Sequence, residues 1–384
     1  MKLFAACSIW ILLLSSLVQA NVVWDKEINE FKTSYSIEHT DNLYNQTTNQ
    51  ITDSLGRMSA NYHILKLFEG FAVSLPITLI QESYLEQSQL NSIDYSITPN
   101  IHFFISDETS VDFILKKSKN ETFSGQEGAE FVEPDNSLIT LNNELAQFNL
   151  NFGRDHKNRF IDLSFAFTNN SQKFKESELS KNDTLMISST YGHRVSEDTY
   201  FLVNAKMSQG NRAGNKTDLQ EFGLGFSNNL GGSHKLNVIA GIYKRKGDEI
   251  SDGNFWRASD TWLISEQNQV SISTSQSSQI SFANETLTQL NTEYQINWSH
   301  KLSKNQLLNL ILKRKKQKFE QKFREYNKDL VSLSWTWLFI EGMKFQSDVQ
   351  FQKISNYLTT FSNIKDNDIK VDQLSLNMVL EYTW

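Results

Sequence analysis

Charged side chains that recur one place away from apolar residues, strand after strand, are suited to lining a water-filled wall. Arg57, Asp94, Asp112, Glu144, Asp162, Lys206, Glu221, Arg257 and Glu293 occupy such positions, and Lys116, Lys313 and Glu381 behave alike. In an extended chain successive side chains point to opposite faces, so these residues share a face with Asn, Gln, Ser and Thr and oppose an apolar one. The surface they would form is of mixed sign and slightly acidic. Mixed charge predicts no strong ion selectivity, and the amides and hydroxyls between the charges suit hydroxyl-rich solutes. The competing reading is that several of them are rim or loop residues that only carry solvent.

Catalysis has less support. The seven histidines (His39, His63, His102, His156, His193, His234 and His300) are isolated from one another. The chain has no HExxH, GxSxG, phosphate-loop or dinucleotide-binding pattern. No catalytic residue, metal ligand or cofactor is assigned. A hydrolase assembled from distant surface loops stays as the third reading.

The element that must position a polar wall is seen most plainly at the carboxy terminus, QLSLNMVLEYTW. Leu374, Leu376, Met378, Leu380 and Tyr382 fall on one face, and Gln373, Ser375, Asn377, Val379, Glu381 and Thr383 on the other. A ten-residue strand, greasy on one side and polar on the other, is what a transmembrane barrel with lipid outside and water inside requires. An ordinary amphipathic strand closing a soluble sheet would show the same alternation.

The amino terminus supports export. Lys2, an apolar run from Leu3 to Val18, and the small residues Val18 and Ala20 before a cleavage point have the layout of a secretory signal peptide over residues 1–20. Residues 21–384 then form a single barrel domain. Cys7 lies too early to be a lipid anchor, and the chain has no other cysteine, which excludes disulfides and cysteine metal sites from residues 21–384. A formal net charge of -7, with lysine and arginine scattered, argues against nucleic acid. Only three prolines occur, as suits long strands whose ladders need every N–H.

Alternating runs mark about eighteen strands, with sixteen as the alternative. The connections alternate in length as well. Tight turns such as Glu69-Gly70, Asn228 to Gly232 and Glu341-Gly342 follow one set of strands, and longer polar segments follow the other. A soluble meander has no reason for that asymmetry, whereas a barrel with short periplasmic turns and longer extracellular loops does. The expected fold is therefore all-β: a closed antiparallel transmembrane β-barrel. Pro76 predicts an irregularity in its own strand. The longest connection, 118–137, either folds inward to narrow a channel or lies on the cell surface, the latter being preferred. Tyr35, Tyr62, Tyr95, Trp256, Trp262, Trp298, Trp335, Trp337, Tyr382 and Trp384 are placed to form interfacial girdles.

The terminal aromatic Trp384, with Tyr382 two places earlier and with Leu380 and Asn377, resembles the membrane-insertion signal of bacterial outer-membrane barrels. That resemblance implies recognition by the barrel-insertion machinery and residence in the outer membrane of a Gram-negative cell. The Thr40 to Tyr44 loop, the Asn149 to Ile161 hairpin, Phe255-Trp256, and the terminal hairpins from Tyr326 to Trp384 with Ser355-Asn356 resemble β-barrel porins that accompany exopolysaccharide biosynthesis and export clusters. What this implies is a porin-like channel for passive transport of hydrophilic solutes or polysaccharide. The alternative from another class is a non-conducting barrel scaffold whose loops bind a partner or polysaccharide. Oligomeric state is not legible in the sequence.

Overall fold

In the computed structural model, the described residues are 26–41, 51–123, 138–153, 158–174, 177–212, 215–230, 232–246, 251–280, 288–319, 324–358 and 369–383. The expected signal segment, Trp384 and residues 124–137 of the longest connection lie outside them.

Alternating apolar and polar residues with few prolines produce long strands. The first group is β1 (Ile28–Thr40), β2 (Asp53–Phe68), β3 (Phe71–Tyr84), β4 (Ser92–Ile97), β5 (Asn100–Ser106) and β6 (Thr109–Phe123). The second is β7 (Leu138–Phe152), β8 (Arg159–Phe174), β9 (Ser177–Ser196), β10 (Thr199–Arg212), β11 (Asn215–Leu230) and β12 (His234–Lys246). The third is β13 (Ser251–Leu263), β14 (Asn268–Ile280), β15 (Thr288–Ser303), β16 (Gln306–Phe319), β17 (Arg324–Ile340), β18 (Met343–Leu358) and β19 (Ile369–Thr383).

Each strand pairs antiparallel with its sequence neighbours, and β19 returns to β1 from Lys32↔Thr383 to Thr40↔Ser375, so the sheet closes on itself with no free edge. β4 and β5 share one position in the ring. Both pair with β3 on one side and with β6 on the other. The barrel thus has eighteen staves, an even number.

The proline expectation is corrected here. β3 runs through Pro76 unbroken, and the interruption falls on its neighbour at Thr98-Pro99. Pro76 faces that break, where its carbonyl still accepts the Thr98 N–H at 3.0 Å. The missing proline N–H therefore faces the one place where the ladder has already lapsed.

The outward face is apolar over four to five alternate residues per stave, the span a tilted strand needs to cross a bilayer. Met58, Phe222, Leu374 and Met378 are among its large exposed hydrophobics, and a belt of this kind is an outlier on a protein surrounded by water. Phe71, Phe103, Phe113, Phe148 and Phe165 form a ring-to-ring row across five staves, with centroids 5.1 to 6.0 Å apart. Near the short turns, Trp335 and Trp337 stack at 6.0 Å and Phe68 and Phe71 at 4.7 Å, as in an interfacial girdle. On the opposite side the belt ends in outward polar pairs. Arg314 holds Asp329 through two hydrogen bonds of 2.6 and 2.9 Å, and Lys117 holds Glu144 at 2.9 Å.

Several strands continue past this boundary as polar hairpins. Residues 169–174 and 177–182, which read as loop in the sequence, are paired strand. Hydrophobic alternation ends where the lipid ends, but the hydrogen-bond ladder does not.

One outward residue breaks the belt. Asp260 lies beside Leu236 and Ile272, two strand positions from Trp262, with His234 Nδ1 at 3.4 Å. An acid facing lipid close to the interface costs up to about 1 kcal/mol. Asp260→Leu is accordingly expected to raise the unfolding free energy by up to about 1 kcal/mol, read as a higher urea midpoint of the folded barrel. A lowered midpoint would show that the His234 contact outweighs the lipid penalty.

Candidate functional site: the inner wall

Register assigns every stave an inner face. Arg57, Asp94, Asp112, Asp162, Lys206, Glu221, Arg257 and Glu293 have inward parity, as do Lys116, Lys313 and Glu381. Glu144 does not. It shares the outer face of β7 with Ala146 and Phe148 and pairs with Lys117 above the apolar belt. The alternation of β7 misleads because Leu141 and Leu145 stand on the inner face, so both parities carry apolar residues.

The inner charges are held in pairs that fix their geometry. Arg57 Nε and Nη2 both donate to Glu82 Oε1, at 3.0 and 2.6 Å. Glu221 accepts from Arg257 Nη2 at 2.8 Å, with Lys206 Nζ at 4.0 Å. Glu293 pairs with Lys313 at 3.0 Å and Glu381 with Lys344 at 2.9 Å. His102 Nδ1 lies 2.7 Å from Asp112 Oδ1. Arg57–Glu82, Lys206–Glu221, Glu293–Lys313, Glu381–Lys344 and His102–Asp112 span neighbouring staves, where cross-strand partners stand about 5 Å apart, whereas Arg257 of β13 reaches across β12 to Glu221 of β11.

Amides and hydroxyls fill the intervals. Gln373 Nε2 donates to Thr40 Oγ1 at 2.6 Å across the closing seam, Gln352 donates to Gln373, and Ser332 Oγ donates to Asp348 Oδ1 at 2.7 Å. On β14, Ser271, Ser273, Ser275 and Ser277 all share the inward face. Asn377 has inward parity, whereas Leu380 and Tyr382 face outward. Among the described residues no group of three His, Cys, Asp or Glu could hold a metal.

Glu82, Glu38, Arg245, Lys315 and Lys328 also belong to this wall and were not picked out from sequence. The alternation of β3 would have reached Glu82 had it been followed past Leu79. Lys315 and Lys328 sit in polar runs with no apolar face to set their parity, and only the register Lys315↔Lys328 places them.

The wall is not a plain cylinder. β13 and β14 pair only from Leu263↔Gln269 to Trp256↔Gln276, while β14 and β15 stay paired as far as Ile280↔Thr288. Beyond the split, Ser278 and Leu290, which carry outward parity, meet inward residues of the neighbouring wall. Arg245 Nη1 donates to Ser278 Oγ at 3.4 Å, and Leu290 packs on the cluster of Leu219, Tyr243 and Phe255. The outer end of β14 therefore tucks inside β11–β13. Glycines give it room. The rings of Phe255 and Tyr243 lie over Gly223 and Gly253, where a Cβ would come within 2.7 and 2.5 Å of them. This is the aromatic-over-glycine packing that lets sheets coil tightly.

These features define a closed antiparallel barrel of the outer-membrane type, with a lipid-facing belt and a polar interior. No protein-family model matches the sequence, and no curated protein matches it. Solved structures do match the fold. The outer membrane protein OpdK of Pseudomonas aeruginosa aligns at a TM-score of 0.50 with 8% identity, covering 93% of this chain and 99% of that one. A second structure of that protein, also called OccK1, gives 0.51 at 8% identity over 93% and 99%. The ferric-catecholate import receptor Fiu of E. coli K12 in an open form gives 0.51 at 9% identity, covering 94% and 82%. At such identities the likeness is one of fold.

Proposed function

We propose that this barrel is an outer-membrane channel through which hydrophilic solutes diffuse passively. The observation that carries the reading is the largely polar inner face of a closed ring of eighteen staves, a strand number at which barrels of the outer-membrane type hold an aqueous channel. Taking strands about 4.8 Å apart and tilted by about 40°, a round barrel of this size has a backbone diameter of roughly 35 Å; in its outer half the inward side chains, among them Glu38, Glu82, Gln352 and Gln373, are buried. No catalytic group is needed. Pore width, lining charge and the tucked edge of β14 set what passes. Structures with the same fold include a protein crystallised with vanillate and a ferric-catecholate import receptor.

Polysaccharide is the cargo favoured by the sequence resemblance and by the serine and glutamine rows of β14 and the β18–β19–β1 seam. Residues 1–20 serve as the export signal, and Asn377, Leu380, Tyr382 and Trp384 as the signal read by the insertion machinery. Purified, folded protein in planar bilayers tests the channel: stable single-channel steps are expected. Silence from protein that shows a folded band shift on unheated gels would favour the non-conducting scaffold, a reading the tucked β14 edge makes specific. Swelling of protein-loaded liposomes in oligosaccharides of rising length tests the cargo. Exclusion of every sugar beyond a disaccharide would remove polysaccharide from the proposal.

A further inference from the structure

The seam where the ring closes carries buried oxygens that have no hydrogen-bond donor among the described residues. Glu38 of β1 is the register partner of Asn377 of β19, and Asn377 in turn is the partner of Asp348 of β18, so the three inward side chains form one row across the seam. Gln350 stands two places along β18 on the same face. Cross-strand neighbours lie about 5 Å apart, so Glu38 and Asp348 flank Asn377 at a separation their side chains can span from either side.

Glu38 is 1% exposed, and neither of its carboxylate oxygens has a hydrogen-bond partner. Asn377 Oδ1 and Gln350 Oε1 are buried and equally without donors. The Gln350 amide is oriented by its surroundings: Nε2 donates to Gln352 Oε1 at 3.5 Å, Gln352 donates to Gln373, and Gln373 Nε2 donates to Thr40 Oγ1 at 2.6 Å. That relay uses its N–H groups on its own members and leaves Gln350 Oε1 over. Asp348 Oδ1 accepts from Ser332 Oγ at 2.7 Å, which leaves Oδ2. Arg57, the cation on the adjoining stave, directs Nε and Nη2 to Glu82 Oε1 instead of to Glu38.

A buried carboxylate without a partner is costly, and so are buried carbonyls without donors. Here five oxygens call for one: two from Glu38 and one each from Asn377, Asp348 and Gln350. Glu38 and Asp348 also bring two negative charges, which a neutral donor does not offset. We infer that this row is a binding site for a hard divalent cation, and that calcium is the ion it fits. Calcium takes six to eight oxygens from carboxylates, amide carbonyls and water, and the row supplies five of them. Magnesium keeps its own water in strict octahedral geometry, and transition metals favour the nitrogen or sulfur ligands that the row lacks. Burial bars an extended solute but not a single ion. With two carboxylates completed by amides, the row differs from the groups of three acids or histidines that are absent among the described residues.

An ion held there ties the first strand to the last two. The seam it crosses is short, with nine register pairs between β1 and β19 against fourteen between β18 and β19. Its action falls on closure of the ring, apart from what the ring conducts.

Folded protein free of anionic lipid, stripped with EDTA and desalted into zwitterionic detergent, is titrated with calcium chloride by calorimetry in 1 M NaCl, which screens exposed charges to about 3 Å. One ion per chain is expected, with a Kd of about 1 mM or tighter. Calcium is also expected to raise the urea midpoint of the wild-type protein. Glu38→Gln with Asp348→Asn is expected to lose both responses, while Glu69→Gln with Glu341→Gln, at two exposed acids of the short turns, keeps them. Asn377→Asp adds a third carboxylate and is expected to tighten binding about ten-fold or more, which decides the matter should the first double variant fail to fold. No uptake by folded wild-type protein, uptake unchanged by Glu38→Gln with Asp348→Asn, or binding no tighter in Asn377→Asp would each overturn the inference.

Discussion

Met378→Arg is expected to cost the barrel about 2–4 kcal/mol of folding stability in lipid vesicles, whereas the same arginine one residue earlier, Asn377→Arg, is expected to cost about 1 kcal/mol or less. The two positions are consecutive on β19, so backbone propensity, strand and depth are matched. What differs is the face. Met378 is the middle one of five outward residues from Leu374 to Tyr382 and pairs with Ile37 and Ser347, which puts it at the centre of the hydrocarbon layer. An arginine there has no water to hydrate it. Asn377 points inward between Glu38 and Asp348, where a guanidinium gains two carboxylates and water. Urea unfolding followed by tryptophan fluorescence measures both. Equal losses, or a larger loss at Asn377, would mean that the greasy face of β19 does not meet lipid.

The reach of the sequence can be judged from the same strand. Alternation over β19 was enough to assign each residue a face, because one parity is wholly apolar until the chain enters water. The even strand count and the asymmetry of the connections were legible for a related reason, since turns at one end must be tight and those at the other are free to vary. β7 shows where that logic stops: with leucines on both parities, the pattern cannot say which face is wet, and Glu144 was put on the wrong one. β8 and β9 show a second limit. Their outer ends are polar on both faces, so the pattern loses its contrast at Asn169 while pairing continues to Phe174. Strand ends above the membrane are fixed by backbone hydrogen bonds, which any polar sequence can make.

The placement of charge around the ring was hidden for a different reason. Parity alone placed Asp94, Arg257 and Glu293 on one surface and gave a mixed-sign lining, which is correct as a sum. Position around the ring is set by closure. Only when β19 is known to close on β1, and β4 and β5 to count as one stave, does it emerge that β3 with Glu82 and β13 with Arg257 stand on opposite sides of the ring.

Removing residues 278–290 and joining Ser277 to Asn291 through Asn-Gly is expected to raise single-channel conductance roughly two-fold, the current of a short pore following the cross-section of its narrowest part. Ser277 and Asn291 are register partners, so a two-residue turn can close the shortened hairpin without altering the lower barrel. The segment includes Ser278 to Ile280 and Thr288 to Leu290, which lie beyond the split between β13 and β14. β13 ceases to pair with β14 above Trp256↔Gln276, and from there Ser278 and Leu290 engage Arg245 and the Leu219, Tyr243, Phe255 cluster from inside. Taking it away also exposes Tyr243 and Phe255 to water, so a loss of stability is expected as well. Leu290→Asp provides a milder version: an acid set against this apolar cluster should loosen the edge and produce flickering between two conductance levels. An unchanged conductance in the folded deletion variant would show that the tucked edge does not bound the passage, and that width is set elsewhere in the barrel.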